Sequence, residues 1–136
     1  MAFILDASVA ISWSFRDEHN SYAHRVLRLL AQDSAIVPPL WSLEVANALI
    51  VAERRKRFTA ADVSHIRDDL VDLPIEVADI SMDQTLHTVL DLARSQGLST
   101  YDAAYLYLAM REGLPLATQD EALRLAAANQ GVRLVE

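Results

Sequence analysis

The chain has 136 residues, 52% hydrophobic and 23% charged, with three Gly and four Pro, a composition that fits one globular domain able to bury roughly two-thirds of its unfolded surface. A net charge of −7 argues against a protein that holds nucleic acid on a broad basic surface, because that mode displaces phosphate counterions with many Lys and Arg. The absence of cysteine excludes disulfides and thiolate metal sites, there is no basic and apolar leader after Met1, and no apolar run approaches the ~20 residues of a membrane span, so a cytoplasmic protein is expected.

In chain order, Phe3-Ile4-Leu5 reads as a short buried strand, Ser8 to Trp13 as a brief helix and Asp17 to Asn20 as the turn after it. Ser21 to Ala31 carries Tyr22, Val26, Leu29 and Leu30 at helical spacing, and Ala35-Ile36-Val37 is a second strand stopped by Pro38-Pro39. Ser42 is placed as the N-cap of a helix from Leu43 to Arg54, which ends in the basic run Arg54-Arg55-Lys56-Arg57. Thr59 caps the next helix, with Val63, Ile66 and Leu70 on its apolar face, and Ile75-Glu76-Val77 follows as a third strand. Ser81 and Gln84 make a capping box for a helix that Gly97 closes. Ser99 or Thr100 caps a helix running to Met110 and stopped by Gly113, Leu116-Ala117 is a fourth strand, Glu121 to Asn129 a last helix and Val132 to Val135 a last strand. Strands alternating with helices predict an α/β fold, with a mostly parallel sheet of four to five strands covered on both faces as a three-layer α/β/α sandwich.

Asp6, Glu44, Asp102 and Asp120 each fall where an apolar run ends or a helix begins. In a parallel α/β sheet those places converge outside the carboxyl ends of the strands. Each acid alone has a structural role: Asp6 and Asp120 as N-caps, Asp102 as the acid of a capping box with Ser99, and Glu44 as a first-turn acid favoured by the helix dipole. Together they form one acidic pocket whose like charges call for a cation, and carboxylate oxygens are the ligands Mg²⁺ and Mn²⁺ prefer. Two such ions ~3.5–4 Å apart activate a water and stabilise the leaving oxygen of a phosphodiester.

The neighbours of these acids admit two readings each. Ser8 and Thr118, both two residues from an acid, either supply the hydrogen bond that orients a ligand or serve as cap and turn residues. Asn47, three residues after Glu44 on the same helical face, either orients a carboxylate or is solvated. The run Arg54 to Arg57 suits the dipole of a helix C-terminus better than a substrate phosphate. His19, His24, His65 and His87 lack ligand spacing, which disfavours zinc. Trp13, Trp41, Tyr101, Tyr105 and Tyr107 read as core or subunit contacts rather than base-stacking platforms, with Tyr105, Leu108 and Met110 left open between core and subunit contact.

The segments Ile4-Leu5-Asp6-Ala7-Ser8-Val9-Ala10, Leu43-Glu44-Val45-Ala46-Asn47-Ala48-Leu49, Ser99-Thr100-Tyr101-Asp102-Ala103 and Leu116-Ala117-Thr118-Gln119-Asp120, in that order, resemble a PIN domain, and most of all a VapC-type toxin ribonuclease. The resemblance spans Ile4 to Val135. It implies a single PIN-like domain over residues 1–136, a Mg²⁺- or Mn²⁺-dependent endoribonuclease acting on RNA, a homodimer, and inhibition by a cognate VapB-type antitoxin whose tail fills the active-site groove. On it, Asp6, Glu44, Asp102 and Asp120 are the catalytic acids and the metal ligands, Ser8 and Thr118 the supporting hydroxyls, and Asn47 the polar residue after the glutamate. Some members carry a further acid beside the last aspartate. Only Glu121 stands there in this chain and it is left outside the core site, so one ion and two both remain compatible. An antitoxin would leave no mark on this sequence beyond an apolar groove around Trp13 and Trp41.

Other readings of the acids meet specific obstacles. A receiver-type signalling domain also places an acidic Mg²⁺ pocket at strand ends, but needs a lysine near it, and the one lysine here is Lys56 in the basic run. An aspartyl phosphatase would carry a second Asp two residues after the first, where Ser8 stands. A non-catalytic PIN-like binding module would have lost a member of the quartet, and all four are present.

Overall fold

Phe3, Ile4 and Leu5 are consecutive and all buried, and because successive strand side chains point to opposite faces, both faces of their strand must be covered. In the computed structural model, which describes residues 1–136, this strand is β1 (Ala2–Leu5). It lies inside a four-stranded parallel sheet, next to β2 (Ser34–Val37) on one side and β4 (Leu116–Ala117) on the other, with β3 (Ile75–Val77) beyond β2, in the order β3-β2-β1-β4. Helices connect the strands: α1 (Ala7–Ser14) and α2 (Ser21–Leu29) after β1, α3 (Leu40–Arg54) and α4 (Ala60–Val71) after β2, and α7 (Thr100–Glu112) before β4, with α8 (Glu121–Asn129) after it. The expected layered α/β architecture is therefore present, with a core built from β1, β2, β4 and the inner faces of α1, α3, α7 and α8.

The chain departs from the expected elements in three places. The helix placed at Leu43 begins at Leu40, because Pro39 already has helical φ −57° and ψ −30° and the Trp41 amide bonds to the Pro38 carbonyl. Ser42 is thus inside α3 rather than its cap, and Glu44 sits in the second turn, not the first. The single helix expected between Ser81 and Gly97 is broken into α5 (Met82–Gln84), a π-helical turn at Thr85–Val89 and α6 (Leu90–Gln96), although the Ser81–Gln84 capping box and the left-handed Gly97 stand where expected. The last strand shrinks to one parallel bridge, Leu116 to Leu134, at the open side of β4. A two-residue partner leaves it little ladder to join.

The end of α3 holds one non-glycine residue in left-handed conformation, Lys56 at φ 61°. The Arg57 amide reaches back to the Ala52 carbonyl at 2.9 Å, a helix-ending pattern that favours glycine at this position. Stacking of Phe58 on Phe15, with ring centroids 5.1 Å apart, and Arg57 lying 4.4 Å from the Phe15 ring hold the turn. Lys56→Gly should therefore stabilise the protein by roughly 0.5–1 kcal/mol, read from urea unfolding.

Candidate active site

The sheet order makes β1 the point where the chain reverses its direction of winding: β2 and β3 lie to one side and β4 to the other. A crevice opens at such a point outside the carboxyl ends of the strands. Leu5 is in register with Ala117, and the Asp6 amide bonds to the Ala117 carbonyl at 3.0 Å, so the residues that follow β1 and β4 emerge side by side. These are Asp6 and Thr118, the one charged and the one uncharged polar side chain buried with the core.

Asp6 is held by two hydroxyls. Ser8 donates to its Oδ2 at 2.8 Å and Thr118 donates to the same oxygen at 2.7 Å, while Oδ1 receives only a long 3.5 Å contact from the Ser8 amide as the cap of α1. Both hydroxyls expected to support an acid thus bear on Asp6. Thr118 also accepts the Asp120 amide at 3.1 Å and so ties the first acid to the last. Asp120 is exposed and caps α8 by accepting the Leu123 amide on Oδ2 at 2.8 Å.

The other two acids come from helices. Glu44 projects from α3 and accepts a 2.6 Å hydrogen bond on Oε1 from the hydroxyl of Tyr105, a fully buried residue of α7. Asp102 lies one turn before Tyr105 in α7. Ser99 accepts its amide at 3.1 Å, but the Asp102 carboxylate does not return the bond, so the capping box is half made and both its oxygens lack a protein donor. Three acids therefore have one oxygen pinned by the protein, and Asp102 has none.

The carboxylates also sense one another. Burial pushes Glu44 above the usual carboxylate range; the Tyr105 hydrogen bond opposes this and the charges of Asp6 and Asp102 add to it. Burial likewise raises Asp102, reinforced by Asp120 and Asp6. Tyr105 is raised by burial and then by Glu44, which keeps its phenol a proton donor throughout the physiological range.

No three Asp, Glu or His side chains stand close enough, as placed, to ligate one ion together. The like charges favour that separation. The donor chemistry still fits a hard divalent cation, for the set is entirely carboxylate and each member has an oxygen free of any short protein hydrogen bond.

Other expected residues fall differently. Asn47 is exposed and bonded to nothing, Glu121 is exposed, and the histidines join no cluster. Tyr105 and Leu108 are core, leaving Met110 the exposed member of their trio. Two supporting residues escape a reading of the sequence: Tyr105, read as core or a subunit contact, and Arg124, which donates to the Thr118 carbonyl at 2.7 Å and so braces the loop of Thr118 and Asp120. Three-residue spacing from Asp102 was a signal for the first; the second had none. The expected apolar groove divides in two. Trp41 lines a cavity of about 510 Å³ between α3, α4 and β3, whereas Trp13 lines a smaller one of about 240 Å³ and donates to the Ala23 carbonyl.

Comparison with known proteins agrees with this fold. The family described as PIN domain matches residues 3–129. The structure is similar to the crystal structure of PAE2754 from Pyrobaculum aerophilum, at 26% identity over 93% of this chain and 79% of that one, with a TM-score of 0.69. It is also similar to VapBC2 from Rickettsia felis bound to a DNA fragment from their promoter, at 14% identity over 99% and 98% of the two chains and a TM-score of 0.68. A toxin-antitoxin complex from Klebsiella pneumoniae matches at 18% identity over 87% and 86%, with a TM-score of 0.60. No curated protein sequence matches the chain.

The raised carboxyls carry a pH signature. A group whose folded-state pKa lies above its unfolded value binds more protons when folded, so stability falls as pH rises through that window. The first-turn position of Asp102 favours its charge through the helix dipole, but burial and two neighbouring acids outweigh this. In EDTA at pH 7.5, Asp102→Asn should raise the calorimetric melting temperature by a few degrees, and the gain should shrink at about pH 4, near the unperturbed carboxyl value.

Proposed function

The chain belongs to the PIN domain family, whose members are generally nucleases, and from this we propose that it is a divalent-ion-dependent endoribonuclease that hydrolyses RNA phosphodiester bonds as the VapC-type toxin of a toxin–antitoxin pair. One observation supports the proposal: the carboxylates that follow β1 and β4 and those on α3 and α7 lie near enough for their charges to act on one another, and Asp102 has both oxygens without a protein donor. An acid used only as a helix cap would have its carboxylate bonded to the helix amides.

In this reading Asp6, Glu44, Asp102 and Asp120 hold one or two Mg²⁺ or Mn²⁺ ions. A bound ion supplies the positive charge that a chain of net −7 lacks at this crevice, offsetting phosphate charge and acidifying a water. The protein's own part is orientation. Ser8 and Thr118 fix the buried Asp6, Tyr105 fixes Glu44, and the Leu123 amide of α8 fixes Asp120, each leaving one oxygen without a short protein hydrogen bond. Asn47, one turn on from Glu44 along α3, is the polar neighbour that meets substrate or solvent at the rim.

The partner reading draws on the same family and on neighbours that are themselves complexes. The Trp41 groove, with eleven of its thirteen lining residues hydrophobic, suits an apolar protein segment such as part of a VapB-type antitoxin, and a homodimer belongs to the same reading. A receiver-type domain is disfavoured by position: Lys56 lies past the end of α3, roughly 15 Å or more along the helix from Glu44.

Cleavage of a mixed pool of transfer and ribosomal RNA fragments by the protein freed of any antitoxin tests the proposal. Discrete cuts in Mn²⁺ should vanish both in EDTA and in Asp102→Asn, with that variant still folded by its melt. Unaltered cutting by Asp102→Asn would remove Asp102 from the site.

A further inference from the structure

We propose that Tyr105 is a positioning residue whose buried hydroxyl commits Oε1 of Glu44, leaving Oε2 as the one oxygen that Glu44 offers to a divalent ion. This rests on the reading of the acidic crevice as an ion site. Glu44 is the longest of the four acids, and the one donor its carboxylate has comes from another helix rather than from its own. Its three side-chain torsions would otherwise be free, and ordering such a chain opposes binding. The Tyr105 hydroxyl removes that freedom in advance through a 2.6 Å charge-assisted bond across 61 residues of sequence.

The donor's place in the fold gives the bond a further consequence. Tyr105 lies on α7 one turn beyond Asp102, whereas Glu44 lies on α3. The bond therefore fixes Glu44 relative to the helix that carries Asp102, the acid with both oxygens unengaged. Packing alone does not call for the hydroxyl, since a phenyl ring fills the same 0%-exposed position, and a buried phenol without Glu44 would be an unsatisfied donor. The same device recurs at Asp6 and Asp120, each pinned through one oxygen, so a shared pattern of one bound and one open oxygen runs through three of the acids.

Titration calorimetry with Mn²⁺ alone, on the whole chain, tests the assignment without any cleavage assay. Tyr105→Phe should bind Mn²⁺ about 10–100-fold more weakly than the wild type, the range expected when a partner of a metal ligand is removed. In a Glu44→Gln background the same change should have little further effect, because the residue it acts through is already disabled. A merely structural role would weaken binding in both backgrounds and would overturn the proposal, as would wild-type affinity in Tyr105→Phe. Glu44→Asp, which withdraws the carboxylate from the Tyr105 hydroxyl while keeping the ring, gives a second variant independent of how Tyr105→Phe folds; wild-type affinity there also overturns it. If the wild type binds no Mn²⁺, the ion-site reading fails and this inference with it, whereas failure confined to the variants leaves that reading intact.

Discussion

A carboxylate that is 6% exposed at the end of a central strand must be satisfied by donors, and at Asp6 two hydroxyls meet on a single oxygen. One hydroxyl comes from the next turn of chain and the other from a residue 112 positions away. That second bond exists because β1 and β4 are parallel and in register, so that Asp6 and Thr118 leave the sheet together. The rest of the crevice is arranged about this pair. Thr118 orients the Asp120 amide, Arg124 holds the Thr118 carbonyl, and the reciprocal amide pair of Asn20 and Gln119, at 2.8 and 3.0 Å, closes the same loop against the start of α2.

The structural and the chemical roles of these acids turn out to be compatible rather than rival. A carboxylate has two oxygens and several acceptor sites, and a helix cap uses one oxygen. Asp120 caps α8 with Oδ2 and keeps Oδ1; Asp6 anchors two hydroxyls on Oδ2 and keeps Oδ1 nearly free. Capping thus stiffens the acid that it engages. The arrangement has an electrostatic consequence, since the burial and mutual repulsion that raise Glu44 and Asp102 make the ion-free fold less stable than it would be with neutral side chains there. Local strain of this kind concentrates where function requires like charges to converge.

Much of this was legible in the sequence because it was written in local chemistry. The caps Thr59, Ser81 and Ser99, the left-handed Gly97 and Gly113, and the apolar β1 each state their structure within a few residues. The nearness of the residues after β1 and β4, Asp6 and Asp120 among them, was legible through a topological rule rather than through spacing, since adjacent strand ends converge in any parallel sheet. What was not legible depends on tertiary partners. Pro38-Pro39 signals the end of β2, but that Pro39 also opens α3 is decided by its helical ψ, which the residue type leaves open. The π-helical turn at Thr85–Val89 has no sequence signature here. The spacing of Tyr105 from Asp102 hinted at a role, but an aromatic residue in an apolar helix face reads as packing, and only the placement of α3 against α7 shows what its hydroxyl meets.

A divalent ion held by the four carboxylates binds the folded chain alone and must stabilise it by mass action. The most direct measurement is the melting temperature of the wild type in EDTA against millimolar Mn²⁺ at constant ionic strength. At an ion concentration 100 times the dissociation constant the gain is about 2.7 kcal/mol, a shift of several degrees for a chain of this size. A shift of that order, lost in Asp102→Asn, is expected of an ion held by these acids; an unchanged melting temperature at millimolar Mn²⁺ would rule such a site out.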